Sequence, residues 1–277
     1  LFSPPSAAPA GSWDALCDGW PEIFCAPPAP EFVLRFTPEM VVQGVGRMRK
    51  AGASGLDGWC PEEYRSLPGV AWTLVADLFN CILAYGTPPS IWRFSKAVLI
   101  PKPGGAAGDL RPIMVAQALH RLFMSVSYSV LVRGLLPQLD AHQYGGLPGR
   151  SGQQELLLLA ALLEDIHWGP QDVPDEEVVG PYLAALDLSK CFDRLDVPVA
   201  LRLMQLHGVD ADFVRVVRAL YLGQGGSRHV YVSAAGARGA LPRSRGMLQG
   251  CAASVLALLL HMSVWHRVLR RSPGASS

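Results

Sequence analysis

The chain has 277 residues, of which 50% are hydrophobic and 17% charged; this composition predicts a folded core and excludes a short peptide or a disordered polyelectrolyte. The 24 basic and 23 acidic residues are unevenly spread: residues 151–212 hold 12 acidic and 3 basic side chains, whereas residues 213–277 hold 9 arginines and no acid. The Arg-rich end could attract phosphate, or it could reflect a general preference for Arg over Lys along the chain.

Cysteine spacing and apolar runs limit the setting of the chain. None of the six cysteines lies two or three residues from another, which predicts no zinc site and favours a reducing compartment. Leu1 followed by prolines does not resemble a signal peptide, and the missing Met predicts a fragment. Residues 247–265 carry no formal charge, but polar side chains interrupt them; this favours a buried helix over a membrane span.

The first half of the sequence predicts mainly helices. Residues 1–36 are rich in Pro and Ala without a steady period, which predicts an irregular lead-in rather than a core element. Thr37 is a predicted N-cap, with Pro38 opening the helix behind it. The elements predicted after this helix are a helix through 72–82 closing at Gly86, a buried strand over 97–100, a helix over 117–133, turns over 144–152 and a leucine-dense helix over 153–166.

The second half adds strands to this pattern. The acidic loop 168–180 is the candidate domain boundary. The elements predicted after it are a buried strand over 182–188, helices capped by Asp196 and Asp210 that end near Gly208 and Gly223, a hairpin of 228–233 with 239–243, and a final helix over 252–271. Helices packed on a small mixed or antiparallel sheet predict the α+β class.

Asp187 is the most informative acidic residue, because it closes the apolar strand predicted over 182–188. A carboxylate at a sheet edge is open to solvent, metal and substrate, and Mg²⁺ prefers such oxygen ligands. Metal-assisted nucleotidyl transfer uses this arrangement. An Asp at the end of a strand is also a common turn or capping residue.

The segment that contains Asp187, LAALDLSKCFDRL (183–195), resembles the first palm motif of reverse transcriptases of non-LTR (LINE-type) retrotransposons and group II introns. Further segments are similar to motifs of that family in the same order. They are SGLDGWCPE (54–62), a basic fingers motif in two parts (91–105 and 109–113), HQYGGLPGRSGQQ (142–154) and RGMLQGCAAS (245–254). The resemblance implies a right-hand polymerase with a lead-in over 1–36, fingers over 37–175 and a partial palm over 176–277.

The family's metal and sugar contacts carry over to the first palm motif. The resemblance implies that Asp187, with the Leu188 carbonyl beside it, would hold the catalytic Mg²⁺ ions. Phe192 would lie under the sugar of the incoming deoxynucleotide and exclude a 2′-hydroxyl, although without the resemblance it is a core aromatic. Asp193 is interpreted as a local cap or the partner of an arginine, and not as a metal ligand.

The remaining contacts implied by the resemblance are to the nucleotide and the template. Lys102 and Arg111 would meet the triphosphate, since fixed cations stabilise a leaving pyrophosphate; each is otherwise an ordinary solvated charge. Gln249 and Gly250 would line the nucleotide pocket, or form a plain loop pair. The segment Arg150–Ser151 would contact the template or have a structural role.

The sequence departs from the family pattern at its end. The family completes its metal site with an aromatic-x-Asp-Asp turn, and here no Asp or Glu follows Asp212. This predicts weak Mg²⁺ binding and little or no activity, with a sheet edge and the apolar final helix left exposed.

Three hypotheses follow from these patterns. The first is a retroelement RNA-directed DNA polymerase that takes an RNA template, a DNA primer and deoxynucleoside triphosphates. Its setting would be intracellular, and only the resemblance suggests the nucleus. The second is a non-catalytic nucleic-acid-binding remnant that uses the arginines of 213–277. The third is a module whose last helix pairs with another protein, a partner that the sequence does not specify.

Overall fold

The computed structural model describes residues 13–101, 103–104, 110–168, 186–224, 226–233, 236–243 and 245–271. The helices are α1 (Trp13–Gly19), α2 (Pro21–Phe24), α3 (Pro38–Arg47), α4 (Pro61–Arg65), α5 (Gly69–Tyr85), α6 (Ala118–Leu135), α7 (Gly152–Trp168), α8 (Cys191–Arg194), α9 (Val197–Leu206), α10 (Ala211–Leu222) and α11 (Ala252–Arg271). The strands are β1 (Phe94–Pro101), β2 (Leu110–Val115), β3 (Arg228–Ser233) and β4 (Gly236–Pro242). This mixture confirms the predicted α+β class.

The predicted helix caps are formed by the side chains that the sequence indicates. Thr37 accepts a hydrogen bond from the Met40 amide at the start of α3. Asp196 and Asp210 do the same at the starts of α9 and α10. At the end of α5, Gly86 adopts the left-handed conformation with φ 63°, which a residue without a Cβ adopts at little cost.

The four strands form one mixed sheet in the order β2-β1-β3-β4. The outer pairs are antiparallel, whereas β1 and β3 run parallel over the pairings from Phe94 with Arg228 to Ala97 with Tyr231. β1 is longer than the strand predicted over 97–100, and its end is not buried: Leu99 and Ile100 are 39% and 42% exposed. The pairing with β3 stops at Ala97, and among the described strands β2 alone lies beside the rest of β1.

Part of the lead-in belongs to the core, so the prediction that 1–36 lacks a core element was wrong. Phe36 is buried, with its ring centroid 5.0 Å from that of Phe79 and 5.1 Å from that of Phe123. Leu34 is also buried, and its amide donates to the Asp210 carboxylate at 2.7 Å. Isolated apolar residues without a period carry no local signal, and tertiary packing determines their burial.

The final helix packs one face against the core, which differs from the expectation that its apolar side is exposed to solvent. α11 packs against α9 and α6, and Leu256, Ala257 and Leu260 are at most 1% exposed. Among the residues described, α11 is the helix long and apolar enough to span a membrane, and 44% of its apolar window is buried within the chain. This packing covers the apolar face that was expected to face solvent.

Two further segments differ from their predictions. The leucine-dense helix forms as α7, but it lies on the surface, with Leu156 and Leu157 65% and 71% exposed. The strand predicted over 182–188 is not seen at its described end, because residues 186–188 have no regular structure and Leu188 is 57% exposed. A buried strand needs hydrogen-bonded neighbours, and none pairs with these three residues in the described sheet. Residues 169–185, which include most of the predicted boundary, lie outside the described ranges.

The regions assigned to fingers and palm share one sheet and one core. β1 pairs with β3, and α6 packs against α11. The division at residue 175 therefore stays a prediction about family architecture, and the described core is continuous across it.

Candidate functional site

The first palm motif forms an exposed turn that leads into the short helix α8. Asp187 is exposed on the irregular segment before this helix, so its carboxylate is open to solvent. Lys190 has a left-handed backbone with φ 51°, which makes it the one non-glycine residue with positive φ among those described. Phe192 is half-buried against the core. The turn thus exposes an acid and places the aromatic five residues later against the protein.

The Gln-Gly motif lies directly against this turn, although more than fifty residues separate the two segments. The Met247 amide donates a hydrogen bond to the Phe192 carbonyl at 2.8 Å. Gly246 has φ 75°, and a Cβ added there would lie 2.5 Å from backbone atoms of Asp193. A close approach of two backbones at a positive φ requires glycine. The structure therefore brings together the two segments that the resemblance assigns to one nucleotide pocket.

The Arg243 side chain contacts both the α8 turn and the segment that leads to the Gln-Gly motif. Its side chain is 6% exposed, and Nη1 lies 3.4 Å from the Asp193 carboxylate. The same nitrogen donates to the carbonyls of Arg245 at 3.3 Å and Met247 at 2.9 Å. Asp193 is thus the partner of an arginine, one of the two roles that the sequence predicts for it.

A buried histidine links Arg243 to the sheet. Arg243 Nε donates to His229 Nε2 at 2.8 Å, so Nδ1 of the neutral imidazole carries the proton and donates to Ser95 Oγ at 2.7 Å. Burial, together with the charge of Arg243, lowers the pKa of His229 to about 4. Ser95 is 2% exposed and lies too deep to act as a nucleophile. Ser95, His229 and Arg243 therefore connect the sheet to the α8 turn.

The loop that carries Gln249 and Gly250 is anchored on one side and open on the other. The Leu248 amide donates to the buried Tyr221 hydroxyl at 3.0 Å, and the Leu248 carbonyl accepts from Ser254 Oγ at 2.8 Å. Gln249 and Gly250 are both exposed, and Gly250 has φ 85° with no atom within 4 Å of an added Cβ. This arrangement presents the Gln249 amide to solvent from a fixed base.

The two parts of the basic fingers motif pair as β1 and β2, with Ile100 opposite Arg111. The structure describes the backbone of Arg111 but not its side chain, and Lys102 lies outside the described residues. Their predicted contact with a triphosphate stays a prediction.

Arg150 makes internal contacts in the structure. Its Nη1 donates to the carbonyls of Asp140, Ala141 and Gln143 at 3.1, 3.1 and 2.8 Å, which closes the turn before α7. The Ser151 amide donates to Gln154 Oε1 at 2.9 Å, while the Ser151 residue is exposed. Arg150 therefore has the structural role that was one of its two predicted roles. Contact of Arg150 or Ser151 with the template stays a prediction.

The same connection packs against the helix that follows the Gln-Gly motif. Gln143 Nε2 donates to the Leu259 carbonyl in α11 at 2.9 Å, and a Cβ on Gly146 would lie 3.0 Å from Val255. The motif over 142–154 is thus tied to the element behind Gln249.

The motif over 54–62 lies at the start of α6. Gly55 faces the Gln117 backbone, where an added Cβ would lie 2.6 Å from Cα. Arg121 donates to the Ala53 carbonyl at 2.6 Å. Burial raises the pKa of Asp57, although backbone hydrogen bonds and Arg121 oppose this shift. These contacts fix the loop to the start of α6, and none of them involves the α8 turn.

The described residues do not fit a magnesium site by themselves. No group of three or more His, Cys, Asp or Glu side chains that could hold a metal occurs among them. Mg²⁺ retains its waters unless several oxygens converge on it, and an exposed carboxylate with a neighbouring carbonyl does not meet that requirement.

Many of the arginines in residues 213–277 form ion pairs or hydrogen bonds within the chain. Arg215 pairs with Asp212 at 2.6 Å, Arg270 with Asp140 at 3.1 Å and Arg271 with Glu22 at 3.0 Å. Arg267 bonds to His207, and Arg243 is buried as described above. At least these five of the nine arginines therefore have partners within the described part of the chain.

Sequence reasoning missed Arg243 and His229. The basic string that precedes the Gln-Gly motif offered a signal for Arg243, since Asp193 was expected to have an Arg partner. His229 gave no signal, because its contact with Ser95 depends on the register between β3 and β1.

Comparison with known proteins agrees with the family resemblance at a coarse level. The chain is 27% identical over 183 residues to a curated protein of Drosophila melanogaster, the Retrovirus-related Pol polyprotein from type-2 retrotransposable element R2DM. The match covers 65% of this chain and 16% of that protein, so the chain spans about a sixth of its relative's length. No protein-family model matches the chain. The similarity supports a retrotransposon-related origin.

Proposed function

We propose that the chain is the fingers and part of the palm of a retroelement RNA-directed DNA polymerase, which extends a DNA primer on an RNA template. The observation that carries this proposal is the contact between the α8 turn and the Gln-Gly segment, made by the Met247 amide and the Phe192 carbonyl. In this proposal Phe192 and Gln249 face the sugar of the incoming nucleotide. The similarity to a retrotransposon polyprotein supports the same class of partner.

Asp187 is the proposed acidic residue of the reaction. Its carboxylate is exposed, and it lies five residues before Phe192, whose carbonyl makes this contact. Magnesium enters the proposal through the resemblance only, since the described residues assemble no metal-binding group. The ligands that would complete a site are not among the residues described here.

The test is primer extension by the full-length gene product on an RNA template in a buffer that contains Mg²⁺. We expect Asp187→Ala to abolish extension, while Asp77→Ala, which removes an exposed carboxylate on α5, leaves it unchanged. Extension that persists in the Asp187→Ala protein would refute the assignment. A second measurement concerns the sugar: Phe192→Val should admit ribonucleotides, and unchanged discrimination would remove Phe192 from this role.

The alternative is a non-catalytic nucleic-acid-binding remnant, and the Arg-rich end of the chain favours it. At least five of its nine arginines have internal partners, so this segment offers phosphate fewer cations than its sequence suggests. The remnant hypothesis predicts RNA binding that weakens as the salt concentration rises. Binding that is flat with salt would contradict the remnant hypothesis, and binding without extension in the full-length protein would favour it.

A further inference from the structure

A helical hairpin at the start of the described chain forms one wall of a cleft. α1 and α2 pack together, with the Trp13 and Phe24 rings edge to face at 5.4 Å. Arg202 of α9 lies over the Trp13 ring at 5.4 Å, and Glu22 of α2 pairs with the end of α11. The hairpin is therefore held against the body of the protein and not attached by its chain ends alone.

The cleft has a volume of about 720 Å³ and contains two cysteines. Cys17 on α1 and Cys25 after α2 both line it. Cys25 is exposed and Cys17 is half-buried. Seven residues lie between the two in sequence, a spacing that matches no common metal or redox motif.

We propose that Cys17 and Cys25 are a dithiol pair that closes to an intramolecular disulfide by exchange with a small-molecule disulfide of the glutathione type. Both thiols line one open cleft, and the helices that carry or precede them pack together, so the fold gives the reagent access and places the two cysteines on the same surface. The modification would lock α1 to α2 without moving the rest of the core. This inference is independent of the proposed polymerase function.

The two thiols have different roles in this exchange. The neighbouring Cys25 thiol, followed by partial burial, raises the pKa of Cys17 to about 11, so Cys17 is the weaker nucleophile until Cys25 has reacted. The exposed Cys25 therefore attacks oxidised glutathione first and forms a mixed disulfide, with one glutathione thiol leaving. Cys17 then attacks the Cys25 sulfur and displaces the second glutathione. The two cysteines are oxidised, one glutathione disulfide is reduced to two thiols, and these take both protons.

The experiment exposes the reduced, folded chain to oxidised glutathione, blocks free thiols with iodoacetamide and digests with trypsin. Both cysteines lie in the peptide that ends at Arg35, because no Lys or Arg precedes this residue. We expect that peptide to lose two hydrogens in mass and to take up no iodoacetamide. Further cleavage after Glu22 should leave two fragments joined by the disulfide.

Three variants make the result specific. Cys17→Ser should stop at a glutathione adduct on Cys25, and Cys25→Ser should leave Cys17 as a free thiol. Cys81→Ser, which removes an exposed cysteine on α5, should form the bond as the unaltered chain does. A stable glutathione adduct in the unaltered chain, a bond to any other cysteine, or an unreacted pair would overturn the proposal.

Discussion

At the scale of single residues, Arg243 concentrates the interactions that join the sheet to the candidate site. It contacts a carboxylate, an imidazole and two carbonyls while being almost fully buried. Its removal takes a hydrogen-bond donor from two buried groups, the His229 ring and the Met247 carbonyl, and such a loss is costly.

We predict that Arg243→Ala lowers the free energy of unfolding by about 2–4 kcal/mol, because His229 and two carbonyls lose their donor. Arg243→Lys should not restore the lost stability, since one ammonium group cannot replace the branched guanidinium. Urea denaturation measures both. The exposed Arg218→Ala is the control and should change stability by less than about 0.5 kcal/mol; an equal loss in both variants would contradict the role of Arg243.

His120 is a second residue whose burial should affect stability, here through its dependence on pH. It is 4% exposed and stacks on Trp92 with ring centroids 5.1 Å apart, and neither ring nitrogen has a hydrogen-bond partner among the described residues. Burial, with a smaller effect of Arg121, lowers its pKa to about 4. The folded chain therefore keeps His120 neutral at a pH where the unfolded chain already binds a proton.

We predict that stability falls as the pH drops from about 6.5 to about 4, by about 1.4 kcal/mol per pH unit for each such histidine. His120→Phe should reduce this slope by one histidine's share and raise stability at neutral pH by about 1 kcal/mol, because two unsatisfied nitrogens disappear. Urea denaturation at several pH values measures the effect. The exposed His142→Phe should keep the original slope, and an unaltered slope in His120→Phe would show that His120 does not cause it.

At the scale of elements, the junction between the α8 turn and the Gln-Gly loop depends on Gly246. Gly246 and Gly250 both have positive φ, but only Gly246 faces a neighbouring backbone in the described structure. The pair therefore separates the cost of an unusual backbone conformation from the cost of a steric clash.

We predict that Gly250→Ala costs about 1–2 kcal/mol through its backbone conformation alone. Gly246→Ala should cost at least about 2 kcal/mol more, because its Cβ would lie within 2.5 Å of the Asp193 backbone and force the two segments apart. Thermal and urea denaturation give the comparison. Equal losses in the two variants would mean that the close approach does not exist in solution.

How far the sequence predicts each element depends on the range of the interactions that fix it. The helices capped by Thr37, Asp196 and Asp210 could be predicted, because a cap and an apolar period are local. Burial of Leu34 and Phe36 could not, since it depends on α10 and the aromatic cluster. Within the candidate site, the sequence could predict that Asp193 pairs with an arginine, because opposite charges attract. It could not identify Arg243 as that arginine, since this contact depends on where the sheet places β4.

At the scale of the whole molecule, the parallel pair β1 and β3 joins the regions on either side of residue 175. The core residues of α6 and α11 add to this contact. Cutting the chain there would remove one neighbour from β1 and uncover the apolar face of α11.

We predict that residues 1–175 and 176–277 do not fold as separate chains, but associate when they are produced together. Copurification through a tag on one chain, with circular dichroism of each chain alone, tests this. The physical reason is that each part buries much of its apolar surface only against the other. A stable, cooperatively unfolding fragment would instead support two independent domains.

The order of the strands also affects how the chain folds during translation. β1 leaves the ribosome well before β3, since five helices lie between them in the described chain. Until β3 arrives, the nascent hairpin of β1 and β2 carries an unpaired edge, which invites pairing with other chains. The yield of soluble protein should therefore respond to chaperones that shield such edges during translation.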